Sequence, residues 1–159
     1  MRGLAALAAV GIGAMAVAAS GARAVATVGA TQTKARDARV VSVREEGSLG
    51  YVSSEASSIL DEGSLRGTLP GRGRVVFIYS GSPNVSARFT IRTAAGTISG
   101  SARCHLHNPT SLTPSFRGAL AISGGSGRYA HARGEGELFG VFHRRGYGLV
   151  VQAIGRLRY

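Results

Sequence analysis

The residues with the clearest metal-binding spacing are His105 and His107, which follow Cys104 in the run Cys-His-Leu-His. In a β-strand, side chains at i and i+2 share a face, so these two imidazoles could bind one transition metal. A complete site needs more ligands, and four other side chains are available by type: His131, His143, Glu135 and Glu137. The alternative is a strand end with two solvated imidazoles, and we favour it because no acidic residue follows the pair closely.

Glu135 and Glu137 are the only acidic residues after residue 62, and they have the same i, i+2 spacing. If both pointed into a barrel, they could act as a general acid and a general base. If both pointed outward, they would form surface ion pairs with neighbouring arginines, which is the alternative we favour. Together with Tyr129, these glutamates are the candidate ligand-binding residues.

No motif in the chain assigns a reaction. There is no nucleophile elbow and no P-loop, and the Gly-Gly-Ser-Gly run is not followed by a helical pattern, which excludes a dinucleotide site. The catalytic residues are therefore unknown, and we expect no cofactor.

Five glycines lie within residues 124–136, at fixed offsets and separated by small residues and a tyrosine. Glycine adopts positive φ angles and permits close backbone approach, so the segment is typical of a tight corner between two strands. The predicted structural glycines are Gly124, Gly125, Gly127, Gly134 and Gly136.

The sequence from residue 63 onward alternates apolar and polar side chains with a period of two. Strand-like runs recur about every twelve residues and are separated by turn residues, and no segment has a helical period. This spacing predicts an all-β domain, a small antiparallel eight-stranded β-barrel, over residues 63–159. Upstream of it, Ala38–Val43 could add one edge strand.

Part of this domain resembles a known family. The runs Phe116-Arg117-Gly118, Ala121–Tyr129 and Ala132–Gly134 are similar to the pattern of the allene oxide cyclase and dirigent barrel superfamily, most closely its exported bacterial members of unknown activity. Ser126 departs from that pattern, in which threonine is usual. The resemblance implies an eight-stranded antiparallel barrel with an apolar interior. The catalytic positions of the plant enzymes cannot be aligned here, so their activity is not carried over.

The N-terminus has the features of an export signal. A positive start is followed by an apolar, Ala-rich run and an Ala-x-Ala pattern, which predicts cleavage after Ala24 or after Ala26. We therefore expect three parts: a signal peptide (1–24), a polar and partly disordered tether (25–62) and the barrel (63–159). The mature protein would be secreted, with no stable membrane insertion.

The one cysteine of the chain, Cys104, cannot form an internal disulfide and is either a buried small residue, which we favour, or a reactive thiol.

Charge is distributed unevenly along the chain. The formal net charge is +11, residues 25–62 carry a net charge of −2, and residues 63–159 hold thirteen arginines against two glutamates. A basic domain attracts anionic polymers. We do not expect nucleic acid as the partner, because the chain is exported and has no basic-aromatic groove motif.

These observations favour a secreted barrel that acts as a binding module. Its ligand would be a small apolar or phenolic molecule inside the barrel, or an anionic cell-surface polymer outside it. The alternative is an enzyme of the dirigent or allene oxide cyclase type that steers a reactive intermediate within the barrel. Self-association into a homo-oligomer is compatible with either.

Overall fold

The computed structural model describes residues 39–79 and 82–159. In these ranges the chain forms a closed barrel of antiparallel strands, in which each strand pairs with its neighbours in sequence and β1 pairs with β8 to complete the ring. This confirms the predicted fold class. The strands are β1 (Val40–Glu55), β2 (Ser58–Gly67), β3 (Gly71–Ile78), β4 (Asn84–Thr93), β5 (Gly96–His107), β6 (Ser115–Gly125), β7 (Arg133–His143) and β8 (Gly148–Arg158).

Side chains alternate between the interior and the solvent along each strand, as the period-two pattern requires. In β8, Leu149 and Leu157 are buried, whereas Val150 and Ile154 between them are exposed. One buried cluster lies in the middle of the barrel and includes Leu49, Phe116 and Leu138. Burial of these apolar side chains supplies the main driving force for folding, because the described part of the chain contains no disulfide.

The two ends of the barrel differ. At one end, a single 3₁₀ turn (Gly127–Tyr129) between β6 and β7 places Tyr129 in a second buried cluster with Ile98, Ala132 and Leu157. We call this the closed end. The other end, which we call the mouth, is formed by the connections β1–β2, β3–β4, β5–β6 and β7–β8.

The domain boundary predicted at residue 63 is wrong. The barrel begins at Val40, so most of the predicted tether is the longest strand, β1, together with the first half of β2. The reason lies in the inward positions of these strands, where Glu45 and Gly47 on β1 and Asp61 and Gly63 on β2 interrupt the apolar alternation. Residues 63–159 alone therefore contain six complete strands rather than eight.

Two other predictions concern segments that the structure does not reach. The signal peptide (1–24) and the tether up to residue 38 lie outside the described residues. Within residues 39–79 and 82–159, no helix is both long and apolar enough to cross a membrane.

The glycine segment joins the end of β6 to β7 and carries the 3₁₀ turn of the closed end. Gly127 has a φ of 60°, in the left-handed region. Gly125 has an ordinary φ, but a Cβ atom there would overlap the carbonyl oxygen of Thr97 on β5. At Gly124, by contrast, the nearest atom to an added Cβ would be Arg133 Nη1 at 3.7 Å.

This difference between adjacent glycines can be tested by alanine substitution. Gly125→Ala forces the β5–β6 backbones apart, and we expect it to lower the free energy of unfolding by about 2–4 kcal/mol. Gly124→Ala is the matched control and should change stability by less than about 0.5 kcal/mol. Urea denaturation followed by circular dichroism measures both values. Equal stability of the two variants would contradict the close approach at Gly125.

Candidate functional site

The barrel interior is not filled. An inner cavity of about 120 Å³ lies toward the closed end, and an outer cavity of about 180 Å³ lies toward the mouth. Both are lined mainly by apolar side chains, and four residues border both of them: Phe77, Cys104, Phe116 and Leu149. The cavities are therefore neighbouring spaces separated by one layer of side chains.

Aromatic side chains surround the mouth. Tyr147 in the β7–β8 turn lies 5.3 Å from Tyr51 and 6.3 Å from Phe142, measured between ring centroids. Tyr147 has a left-handed φ of 47°, a conformation that costs energy for a residue with a side chain. Tyr51, Tyr79 and Tyr147 are each more than a third exposed. The rim thus presents phenol rings to both the solvent and the outer cavity.

Glu45 is an inward-facing acidic side chain in the wall of the inner cavity. It projects inward from β1, is buried, and accepts a hydrogen bond at Oε1 from the backbone N–H of Leu69 in the β2–β3 connection. Its second oxygen, Oε2, is buried without a hydrogen-bond partner. Burial raises the pKa of Glu45, and the backbone hydrogen bond from Leu69 offsets part of that shift.

Asp61 is the second inward carboxyl group, and it is fully buried. It lies on β2 opposite Tyr51 on β1 and Val75 on β3, and neither of its carboxylate oxygens has a hydrogen-bond partner. Desolvation by burial raises the pKa of Asp61 to about 6. Buried polar groups are nearly always paired, so an unpaired carboxyl group in an apolar wall requires an explanation.

Among the described residues, no basic side chain inside the barrel neutralises these two acidic groups. The inward positions of the eight strands carry Glu45 and Asp61 but no arginine, lysine or histidine. Three arginines border the cavities from outside, and all are exposed to solvent: Arg74, Arg144 and Arg156. The barrel is therefore basic on its outer surface and acidic within.

Cys104 is buried between the two cavities, and burial raises the pKa of its thiol to about 11. At neutral pH the thiol is protonated, whereas the thiolate is the nucleophilic form. Its position accords with the buried small residue that we favoured over a reactive thiol.

The structure places His105 and His107 on the outer face of β5, both exposed, with their rings 5.4 Å apart. Nδ1 of His105 lies 3.0 Å from Oδ1 of Asn84 on β4. Among the described residues, no group of three or more His, Cys, Asp or Glu side chains is arranged to hold a metal ion. The pair therefore has no third ligand of these types within the described ranges.

Glu135 and Glu137 project outward from β7 and are exposed, but Glu135 borders the inner cavity from its outer side. Glu137 forms an ion pair with Arg117 on β6, with 2.7 Å between Oε2 and Nη2, and Glu135 lies opposite Arg156 on β8. Tyr129 is buried at the closed end, where its ring packs against Tyr159 with the centroids 5.0 Å apart. Of the three predicted ligand-binding residues, Glu135 thus borders the inner cavity, and Glu137 and Tyr129 border neither cavity.

Glu45 and Asp61 were not among the sequence-predicted candidates, although a signal for them exists. Glu45 shares the alternate, inward positions of β1 with Val41, Val43 and Leu49. Asp61 shares those of β2 with Ile59 and Leu65. An acidic residue at an apolar position of a strand is a candidate buried carboxyl group. That signal was masked because both segments were interpreted as tether.

Arginines cover the outer face of β3 to β6. Arg72 lies directly opposite Arg92, and like charges in this arrangement repel each other. Glu62 on β2 approaches Arg72 and Arg74, at 3.9 and 3.4 Å, but β4 and β5 carry no acidic residue. The exposed arginines of these two strands are Arg88, Arg92 and Arg103.

Comparison with known proteins does not identify the chain. No protein-family model matches the sequence, and neither a curated protein nor a solved structure gives a significant match. The resemblance to the allene oxide cyclase and dirigent barrels stays a prediction, as do export and oligomeric state.

The unpaired Asp61 makes a prediction about stability and pH. Its pKa is higher in the folded protein (about 6) than its ordinary value of 3.8, so folding favours the protonated form. Its contribution to stability is therefore present below pH 3.8 and is lost as the pH rises to about 6. We expect Asp61→Asn to remove a fall of about 2–3 kcal/mol in the free energy of unfolding between pH 4 and pH 7.

Urea denaturation at both pH values measures this fall in the wild type and the variant. Glu62→Gln is the matched control, because Glu62 is the adjacent carboxyl group but lies on the outer side beside Arg74. It should keep the wild-type fall. If Asp61→Asn shows the same fall in stability as the wild type, the carboxyl group of Asp61 is solvated or paired.

Proposed function

We propose that this protein binds a small, largely apolar molecule inside its barrel. The observation that carries the proposal is the underfilled interior, in which two neighbouring cavities are lined mainly by apolar side chains. Eight-stranded barrels have room inside for packed side chains or for one small ligand. Here the packing is incomplete, which favours the ligand.

The size of the cavities limits the ligand. Sites for drug-sized molecules usually have volumes of roughly 300–1,000 Å³, and each cavity here is smaller. A molecule with one ring or a short chain matches these spaces better than a lipid does. The tyrosines around the mouth support the same proposal, because aromatic rings stack favourably on one another.

Binding of 2-phenylethanol, a neutral molecule with one ring, tests the proposal. Isothermal titration calorimetry with the wild-type barrel should detect binding, and Ala102→Leu should weaken it at least tenfold, because Ala102 lines the inner cavity. Ala119→Leu adds the same atoms at an exposed position on the outer face of β6 and should leave the affinity unchanged.

The stability of Ala102→Leu separates blocked binding from misfolding. A leucine that fills an existing cavity should keep or raise the melting temperature. Absence of binding of 2-phenylethanol, and of an amine and a carboxylate with the same phenyl body, to the wild type at millimolar concentration would refute the proposed function. Equal affinities of wild type and Ala102→Leu would refute binding at the inner cavity.

A catalytic barrel is a second candidate, supported by Glu45 in the cavity wall. A buried carboxyl group beside an apolar substrate has the environment of a general acid or base. Catalysis and binding differ in the effect of Glu45→Gln, which would abolish turnover of a substrate but leave binding of its apolar body in place.

The outer face supports a further binding role, toward an anionic cell-surface polymer. Like-charged arginines held side by side are stabilised when an anion lies between them, and such attraction weakens as salt is added.

Retention on immobilised dextran sulfate tests this role. The double variant Arg88→Gln/Arg92→Gln should elute at a clearly lower salt concentration than the control Arg156→Gln/Arg158→Gln, which removes the same charge from β8. Identical elution of the two variants would indicate attraction by net charge alone and would refute a specific surface.

A further inference from the structure

The charged groups inside the barrel limit the chemical class of the ligand more than the shape of the cavities does. The described inward positions hold two carboxyl groups and no basic side chain, and Oε2 of Glu45 and both oxygens of Asp61 are unpartnered. We infer that the preferred ligand is a small apolar amine, whose ammonium group lies in the inner cavity beside Glu45. This inference rests on the proposed function and names the chemical class of its ligand.

The geometry at Glu45 supports a cationic group in particular. Its Oε1 already accepts a backbone N–H, which orients the carboxyl group, and Oε2 is left to accept one more hydrogen bond. An ammonium group donates such a bond and also neutralises a charge that is costly to bury alone. A hydroxyl group would donate the bond without neutralising the charge.

Asp61 adds to this preference without touching the ligand. It does not line either cavity, but Val75 opposite it on β3 lines the inner one, and Phe77 further along β3 lines both. Between charges in an apolar interior, Coulomb attraction is much stronger than in water at the same distance. Asp61 therefore favours a cation in the inner cavity and disfavours an anion.

The same arrangement disfavours apolar acids. A carboxylate ligand would be buried near two other acidic groups, and the nearest arginines are exposed on the outer side of the wall or at the mouth. Arg144 at the mouth donates its hydrogen bonds to the backbone carbonyl groups of Pro109 and Ser111. The interior thus lacks a cation that could hold an anionic head group.

Three ligands with the same phenyl body and similar length test the inference at pH 7.5: 2-phenylethylammonium, 2-phenylethanol and 3-phenylpropanoate. Calorimetry should give the ammonium compound an affinity at least tenfold above that of the alcohol, and the carboxylate an affinity at least tenfold below it. Glu45→Gln keeps an acceptor for the N–H of Leu69 and should reduce the preference for the amine at least tenfold. Asp61→Asn should reduce it less.

Glu46→Gln is the matched control, because Glu46 is adjacent in sequence but lies on the outer face and accepts a hydrogen bond from Gln152. It should leave all three affinities unchanged. Equal affinities for the three ligands, or a preference for the carboxylate, would overturn the inference while leaving the proposed function intact. A preference for the amine that survives in both Glu45→Gln and Asp61→Asn would also overturn it. If none of the three ligands binds, the proposed function itself fails.

Discussion

The structure depends on the close approach of neighbouring strands at inward-facing glycines. At Gly63, Gly118 and Gly140, an added Cβ would overlap a backbone carbonyl oxygen of the adjacent strand. These positions let the sheet coil tightly enough for β1 to pair with β8, which removes the edges at which other chains could add. Gly155, which borders the inner cavity, makes the same kind of close approach, to the backbone carbonyl oxygen of Glu135 on β7. At this position, the close pairing of the strands and the empty space within the barrel share one cause.

The position of the carboxyl groups gives this space a chemical character. An apolar cavity alone would accept almost any small hydrophobic molecule, because the hydrophobic effect has no direction. Glu45 and Asp61 introduce charge where water cannot compensate for it, and they do so at a cost in stability. Buried carboxyl groups that lower stability at two inward positions are typical of a functional site, where residues that disfavour folding are retained. The closed end is occupied by the buried cluster that contains Tyr129, and the outer cavity lies at the mouth.

The barrel could be predicted from β3 to β8, because their inward positions are apolar residues or glycine and keep a period of two. Residues 40–62 could not be assigned by the same signal, since an aspartate or glutamate at an inward position looks like a solvated residue in a sequence. The candidate site was missed for that reason, as its two carboxyl groups lie on the two strands that they obscured. The spacing of Glu135 and Glu137 showed that they share a face of β7. Whether that face was inner or outer depended on the register of β7 with β6 and β8, which carry Arg117 and Arg156. In β7 the inward positions are those of Gly134, Gly136 and Leu138, so both glutamates face outward.

The central claim is that two unpaired carboxyl groups are buried in a hollow, apolar barrel. Carbon-detected NMR of the side-chain carboxyl groups, recorded across a pH titration of the ligand-free protein, tests it most directly. We expect Asp61 to titrate with a midpoint of about 6 and Glu45 with a midpoint above its ordinary 4.5. Midpoints at or below the ordinary values for both residues would show that water or a basic group reaches them, and would contradict the account.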